Sequence, residues 1–278
     1  MSKNTESLIS LLLDAARAAG ADGADAGMSR SEGTSVTVRL GKVESSERSE
    51  DIGAALRVFV GKRNASVSTS QLDSDSIAGL AERAVAMARV APEDPYVRLA
   101  TADEVAGTLP EIDLYDDIVP AVEHLTETAT AVEAAALSNE GITNSEGGSA
   151  SHGEAHVMIA TSNGFYANYK RSSQGFSAVV IAEKDGAMER DYDYSAAVYG
   201  ADLDAPEDVG NSAAKRTLSR LGPQKPPTGQ FPVIYDQRVS GSIVGTLASA
   251  INGAAIARGT SFLKESMGEK VTSSGLTF

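Results

Sequence analysis

Cysteine is absent from this chain of 278 residues. The protein therefore cannot form a disulfide, use a thiolate nucleophile or build a zinc site that contains cysteine. The N-terminus also lacks the continuous apolar core and the cleavage site of a secretion signal. The least polar stretch, 239–257, contains Ser, Thr and Asn, and is too polar to insert comfortably into a bilayer. These absences predict a cytoplasmic protein that is not bound to a membrane.

Common catalytic and nucleotide-binding motifs are missing as well. The sequence contains neither GxxxxGK[ST] nor GxGxxG, although Gly141 and Gly147-Gly148 lie near one another. A P-loop or Rossmann type of phosphate binding is therefore unsupported. No GxSxG motif is present, because Gly241-Ser242 is followed by Ile-Val-Gly. We expect no catalytic, cofactor-binding or metal-binding residue in this chain.

Negative charge dominates, with 38 Asp and Glu against 24 Lys and Arg, a net charge of −14. The excess lies before Asn211, and the remaining C-terminal part is net basic. An acidic surface repels the phosphates of nucleic acid, so we predict no nucleic-acid partner. The basic C-terminal part could contact an acidic partner or could simply be solvated.

Periodicity and turn residues predict alternating helices and strands. Apolar residues at helical spacing predict helices at Thr5–Gly20, Asp73–Arg89, Val119–Leu137 and Ala205–Leu221. Short strands punctuated by glycine are predicted at Gly23–Arg30, Ser35–Leu40, Val43–Glu50, Ile52–Val60 and Asn64–Ser70. At least three more strands should follow Ile142, broken at Asn163-Gly164 and Asp185-Gly186. One further strand is predicted at Phe231–Tyr235, leading into the helix 239–257.

The tight hairpins favour an α+β fold with mixed sheets and packed helices over a doubly wound parallel sheet. A connector that contains proline, Ala91–Pro110, separates the first strands and helices from the later ones. We therefore predict an N-terminal α/β domain at 1–110 and a β-rich second domain at 111–278.

One cluster could suggest a metal. His152, Glu154 and His156 would project from one face of a strand, about 7 Å apart per step. A zinc site needs a third or fourth ligand, and the only other histidine is His124. Solvent-facing polar positions on an edge strand are the favoured interpretation.

A second cluster contains carboxylates. Glu189, Asp191 and Asp193 alternate with other residues in MERDYDYS and could act in acid–base chemistry or hold a hard cation. A solvated alternating strand is the favoured interpretation. Tyr192 and Tyr194 in this segment, with Tyr199, have the spacing of core or interface aromatics.

Small residues line one face of the helix 239–257. Gly241, Gly245, Ala248 and Asn252 follow i, i+4, i+7, i+11 spacing. We expect this face to pack closely against another element or a second copy, so that Gly245→Leu would be destabilising.

Four segments together resemble the TldD/PmbA family, and within it the TldE (PmbA) branch. They are the run from Ala21 to Ser70, GITNSEGGSAS with TSNGFYANY, MERDYDYS, and Val239–Val271 with its GTSF turn. In the TldD branch the matching helix carries a His-Glu-x-x-x-His zinc motif. Here the helix offers Ser242, Val244, Gly245, Thr246, Ala248 and Ser249. None of these is a zinc ligand of the usual kind.

The resemblance implies a non-catalytic, metal-free subunit of a cytosolic zinc metallopeptidase that acts on unfolded peptides. Zinc would belong to a TldD-like partner, and the assembly would be a heterodimer, with a homodimer as the other possibility. The alternative is a regulatory protein of the DNA gyrase modulator type, which would act through protein–protein contact. Family members continue beyond this point, so the end at Gly275–Phe278 resembles a truncated or split product.

Overall fold

The computed structural model describes residues 2–101, 103–105, 107 and 109–273. Contacts divide the chain into two units, Met1–Pro223 and Gln224–Phe278. The segment Gly275–Phe278, which was interpreted as a truncated end, lies outside the described residues.

The first unit contains one antiparallel sheet of six strands in the order β3-β2-β1-β4-β5-β6. This sheet, with helices packed on it, confirms the α+β class. The strands are β1 (Gly23–Arg39), β2 (Lys42–Val60), β3 (Arg63–Thr69), β4 (Ile142–Thr161), β5 (Tyr166–Lys184) and β6 (Ala187–Ala197).

The first strands are longer than the sequence pattern predicted. The predicted breaks near Gly33 and Asp51 are wrong, because β1 and β2 pair continuously through them. Gly33 lies inside β1 opposite Gly153 of β4, and pairing on both sides holds it extended. The turn between β1 and β2 instead uses Leu40 and Gly41, whose φ angles are +50° and +72°. Glycine adopts this left-handed conformation without steric cost.

Four helices pack on this sheet: α1 (Ser2–Ala18), α2 (Ser74–Val90), α3 (Val122–Leu137) and α4 (Pro206–Ser219). The first α2 turn is capped by Asp73, whose carboxylate accepts a hydrogen bond from the Ser76 amide at 2.9 Å. The buried side chains of β1 and β4 on this face are mainly even-numbered, as the two-residue repeat of a strand requires. We call this side the helical face and the other side the open face.

The helical face carries two separate apolar cores. In the first, α1 and α2 cover β3, one half of β2 and the adjoining ends of β1 and β4, around Leu12, Met28, Leu56 and Met158. In the second, α3 and α4 cover the opposite ends of β1 and β4 together with β5. The predicted domain boundary at residue 110 falls between α2 and α3. Because β1 pairs with β4 from Asp25 to Val38, a single sheet spans both predicted domains.

Between the two cores the helical face is polar, and we call this strip the waist. It includes Arg30, Glu32, Arg48 and Glu50, which form four ion pairs with N–O distances between 3.0 and 3.8 Å. These side chains are partly to largely exposed, so their pairing contributes little stability. The waist therefore separates two cores that share their strands.

The second unit contains α5 (Gln237–Ala250) and α6 (Gly253–Ala257). The predicted helix 239–257 is interrupted at Asn252, whose side chain caps α6 by accepting from the amides of Ala254 and Ala255. The predicted strand Phe231–Tyr235 is wrong for this chain, since the segment is exposed and has no regular structure. No helix among the described residues is long and apolar enough to cross a membrane.

Candidate functional site: a polar strap beside the waist

A short segment of the connector before α3, Asp113–Ile118, binds the part of β5 that has no β6 beside it, the residues before Gln174. The Ser172 amide of β5 donates to the Leu114 carbonyl at 2.9 Å, and the Asp116 amide donates to the Ser172 hydroxyl at 2.8 Å. We call Asp113–Ile118 the strap. It is held to the sheet by hydrogen bonds to backbone and side chain together.

Asp116 is the buried centre of this strap, with 5 % of its surface exposed. Its carboxylate accepts hydrogen bonds from the Gln174 side chain and from the Gly200 and Ile118 amides, each at 3.0 Å. The two backbone donors, Gly200 first, lower the pKa of Asp116 below its ordinary value. The carboxylate is therefore ionised at neutral pH, and its three hydrogen bonds hold three chain segments together.

Two tyrosines extend the network. The Tyr115 hydroxyl donates to a Glu154 carboxylate oxygen at 2.9 Å, and the Lys170 ammonium lies 5.2 Å from the centre of the Tyr115 ring. The bond to Glu154, followed by burial, raises the pKa of Tyr115. The Tyr199 hydroxyl donates to the Asp113 carboxylate, which raises the pKa of Tyr199 to about 12. Both phenols stay protonated at neutral pH and act as hydrogen-bond donors.

The cluster His152–His156 lies on β4, in the interior of the sheet, so the interpretation as an edge strand is wrong. His152 is buried, with 6 % of its surface exposed. Its Nε2 atom has no hydrogen-bond partner in the described residues. His152 and His156 are four strand residues, or about 13 Å, apart. The Glu154 carboxylate already accepts the hydrogen bond of the Tyr115 hydroxyl. Among the described residues no three potential ligands converge on a metal.

The carboxylates of MERDYDYS lie on β6, the edge strand beside β5. Asp191 is buried and pairs with the Arg220 guanidinium at 2.7 Å, while Asp193 pairs with Arg216 at 3.3 Å. The interpretation as a simply solvated strand is therefore wrong for Asp191. Tyr192 and Tyr194 are exposed on the open face and stack with 6.4 Å between ring centres, so they are not core residues.

The glycines near 141–148 serve packing and turns. A Cβ atom on Gly148 would lie 2.2 Å from the Ala129 carbonyl oxygen of α3, and one on Gly147 would lie 3.0 Å from the Val38 carbonyl oxygen. Gly148 thus allows α3 to approach the sheet backbone closely.

Helix α5 carries hydroxyl and aliphatic side chains and glycine at 242–249, and none of these is a zinc ligand of the usual kind. The expected close packing of its small-residue face is also not observed, because a Cβ atom at Gly241 or Gly245 would meet nothing within 4 Å. Nothing packs on Gly241 or Gly245 in the part of the chain that the structure describes.

The strap network was not predicted from the sequence. Its residues lie in three distant segments: the Asp-Leu-Tyr-Asp-Asp run, the middle of β5, and Tyr199-Gly200 after β6. The acidic run itself was the only local signal. The described part of the first unit is thus an α+β scaffold in which the strap network ties three distant chain segments together by hydrogen bonds.

Comparison with known proteins shows which family of α+β proteins this chain resembles. Domain models of the PmbA/TldA metallopeptidases match three consecutive segments: domain 1 at residues 24–88, the central domain at 115–221 and the C-terminal domain at 228–278. The chain is 35% identical over 257 residues to the metalloprotease PmbA of Escherichia coli O157:H7, covering 92% of this chain and 57% of that protein.

Two solved structures share the fold. One is a proposed modulator of DNA gyrase from Bacteroides thetaiotaomicron, with a TM-score of 0.86 and 26% identity, covering 97% of this chain and 62% of that one. The other is TldE from Thermococcus kodakarensis, with a TM-score of 0.65 and 15% identity, covering 93% of this chain and 58% of that one.

The chain belongs to the PmbA/TldD metallopeptidase family. It spans between 48% and 58% of the length of the curated relatives that it matches.

Proposed function

We propose that this chain is a non-catalytic subunit of a PmbA/TldD-type metallopeptidase assembly, which acts on unfolded peptides in the cytoplasm with zinc in a TldD-like partner. The observation that carries the proposal is the composition of α5. At the position of the partner branch's zinc motif, α5 has serine, threonine, glycine, alanine and valine. A side chain of that kind can shape a chamber but cannot activate a metal-bound water.

The experiment compares the chain alone with the chain mixed with a TldD-type subunit. We expect the purified chain to hold no stoichiometric zinc by elemental analysis and to leave denatured casein intact. The mixture should co-purify and cleave casein in a chelator-sensitive manner. About one zinc per chain in the isolated protein would contradict the proposal. The variants His152→Ala and His156→Ala would then locate that ion.

A second candidate is a protein that regulates DNA gyrase by direct contact. It is favoured by the 26% identical structure described as a proposed modulator of that enzyme, and by the acidic net charge of −14. A supercoiling assay with purified gyrase separates the two functions. Inhibition by this chain without any TldD-type subunit would support regulation, and an unchanged gyrase rate would count against it.

A further inference from the structure

Half of strand β2 has a neighbour on only one side. β1 pairs with β2 from Lys42 to Phe59, but β3 pairs only with Ala54–Val60. The segment Lys42–Gly53, which we call the free edge, therefore has no strand beside it in the described part of the chain. All its residues are exposed except Ser45 and Gly53, which are partly buried. A free edge presents backbone N–H and C=O groups that can pair with another extended chain.

A groove begins where β3 ends and the free edge starts. It has a volume of about 670 Å³ and is bounded by Asp51–Ala55 of β2, Ser68–Ser70, and Gly27 and Ser29 of β1. Most of these side chains are small, so the groove leaves space for the side chains of an added strand. Val157 of β4 also lines it, so the groove lies on the open face and reaches across β2 and β1 from the end of β3.

The charges of the free edge differ between its two faces. On the helical face Arg48 and Glu50 are paired with each other at 3.4 Å. On the open face Glu47 and Asp51 form no ion pair within the described residues. They are four residues, or about 13 Å, apart on the strand. An added strand with basic side chains four residues apart would place one beside each carboxylate.

A second copy of this chain matches the charges of the open face less well. An antiparallel β2–β2 pair centred on Glu47 would place Glu47 against its own copy and Glu44 against Glu50, and like charges directly opposite each other in a sheet are destabilising. A pair centred on Ser46 would place Glu44 opposite Arg48, but Glu47 would face Ser45 and Asp51 would face Gly41. In neither register do Glu47 and Asp51 face a basic residue, whereas a basic segment supplies one to each.

We propose that the free edge Lys42–Gly53 binds an extended, basic polypeptide segment by β-strand addition. The backbone of β2 would supply the hydrogen bonds, and Glu47 and Asp51 would select lysine or arginine at alternate positions of the segment. This binding needs no peptidase activity and no partner subunit, so it goes beyond the proposed function.

The test uses the full chain and a capped, fluorescent twelve-residue peptide of serine and threonine with two lysines four residues apart. A strand added to one edge uses every second backbone amide. Two further peptides therefore carry N-methyl groups on the odd or on the even amides. Fluorescence anisotropy should show binding that one methylation pattern abolishes and the other leaves in place. Equal binding of both methylated peptides, or no binding of the parent peptide, would overturn the proposal.

Charge reversal tests the selectivity. The double variant Glu47→Lys, Asp51→Lys should bind the lysine peptide about tenfold more weakly than the parent chain and should prefer a peptide with glutamates instead. The matched control Glu123→Lys, Glu127→Lys reverses two exposed charges on α3 and should bind as the parent does. Equal weakening in both variants would show a general charge effect and contradict the proposal. A dimer in sedimentation analysis that prevents the lysine peptide from binding would assign the edge to a second copy and overturn the proposal.

Discussion

Gly148 is the residue at which the second core is least tolerant of change. Gly148 has no Cβ atom, and the Ala129 carbonyl oxygen of α3 lies only 2.2 Å from the position that a Cβ atom would occupy. Backbone cannot move aside as the tip of a flexible side chain can. The helix would have to shift, or the strand to bend.

We therefore expect Gly148→Ala to lower the free energy of unfolding by about 3 kcal/mol, measured by urea denaturation. Gly153→Ala on the same strand is the control, because its Cβ atom would meet only the Ser173 hydroxyl at 3.5 Å and the Glu32 carbonyl at 3.6 Å. Equal stability of the two variants would show that α3 does not approach β4 as closely as described.

Asp116 gives the strap a defined pH dependence. Its folded pKa lies below its ordinary value of about 3.9, so its contribution to stability is present above pH 4. The contribution is lost as pH falls through the folded pKa. Asp116→Asn should thus destabilise the chain at pH 7, and the difference from the parent should shrink at pH 3. The exposed neighbour Asp117 provides the control, since Asp117→Asn should leave unfolding unchanged at both pH values. A constant difference for Asp116→Asn would exclude the carboxylate charge as the cause.

For single residues, the sequence predicted which residues lie on the same face of a strand. It did not predict which distant residue each side chain contacts. Alternation correctly places His152, Glu154 and His156 on one side of a strand. Asp191 escaped prediction because its partner, Arg220, is 29 residues away and just past the end of α4. Burial of a carboxylate depends on such distant neighbours, which local periodicity does not contain.

Among the elements, α5 shows the largest difference between pattern and structure. Its small residues predicted a packed face, yet Gly245 is open to solvent. An exposed glycine inside a helix costs about 1 kcal/mol relative to alanine.

Gly245→Ala should therefore increase the hydrogen-exchange protection of α5 amides, and Ala248→Gly, also at an exposed position, should decrease it. We expect Gly245→Leu to remain as soluble as the parent. Aggregation or loss of assembly on Gly245→Leu would show instead that this face is covered in solution.

The helices of the first unit and the hairpins after Ile142 were predicted correctly, because their signals are local. Asp73 caps α2, and the breaks at Asn163-Gly164 and Asp185-Gly186 follow β4 and β5. The segment Phe231–Tyr235 failed for the opposite reason. Its apolar residues favour a strand, but a strand forms only where a neighbouring strand pairs with it.

For the whole molecule, the shared strands couple the two cores. Leu12 lies in the first core and Leu125 in the second, and both are buried. Because β1 and β4 run through both cores, we expect the first unit to unfold in one step. Leu12→Ala and Leu125→Ala should each lower the free energy of unfolding by about 2–5 kcal/mol.

Each variant should move the same single transition, followed by circular dichroism and by tyrosine fluorescence. Two separate transitions, each sensitive to only one variant, would support independent domains divided near residue 110. Turn residues and periodicity in the sequence predicted the α+β class. They did not predict that one sheet continues across residue 110. It depends on the pairing of β1 with β4, which are more than a hundred residues apart in sequence.

The waist gives the first unit a mechanical property. Gly33 of β1 and Gly153 of β4 face each other in the strands that run through it. A glycine pair has no side chains to resist a change of local twist. Torsion of the long strands at this point would rotate one helical pair against the other while leaving both apolar cores closed. We therefore expect twisting of the first unit to concentrate at the waist, where only the partly exposed ion pairs of the helical face would resist it.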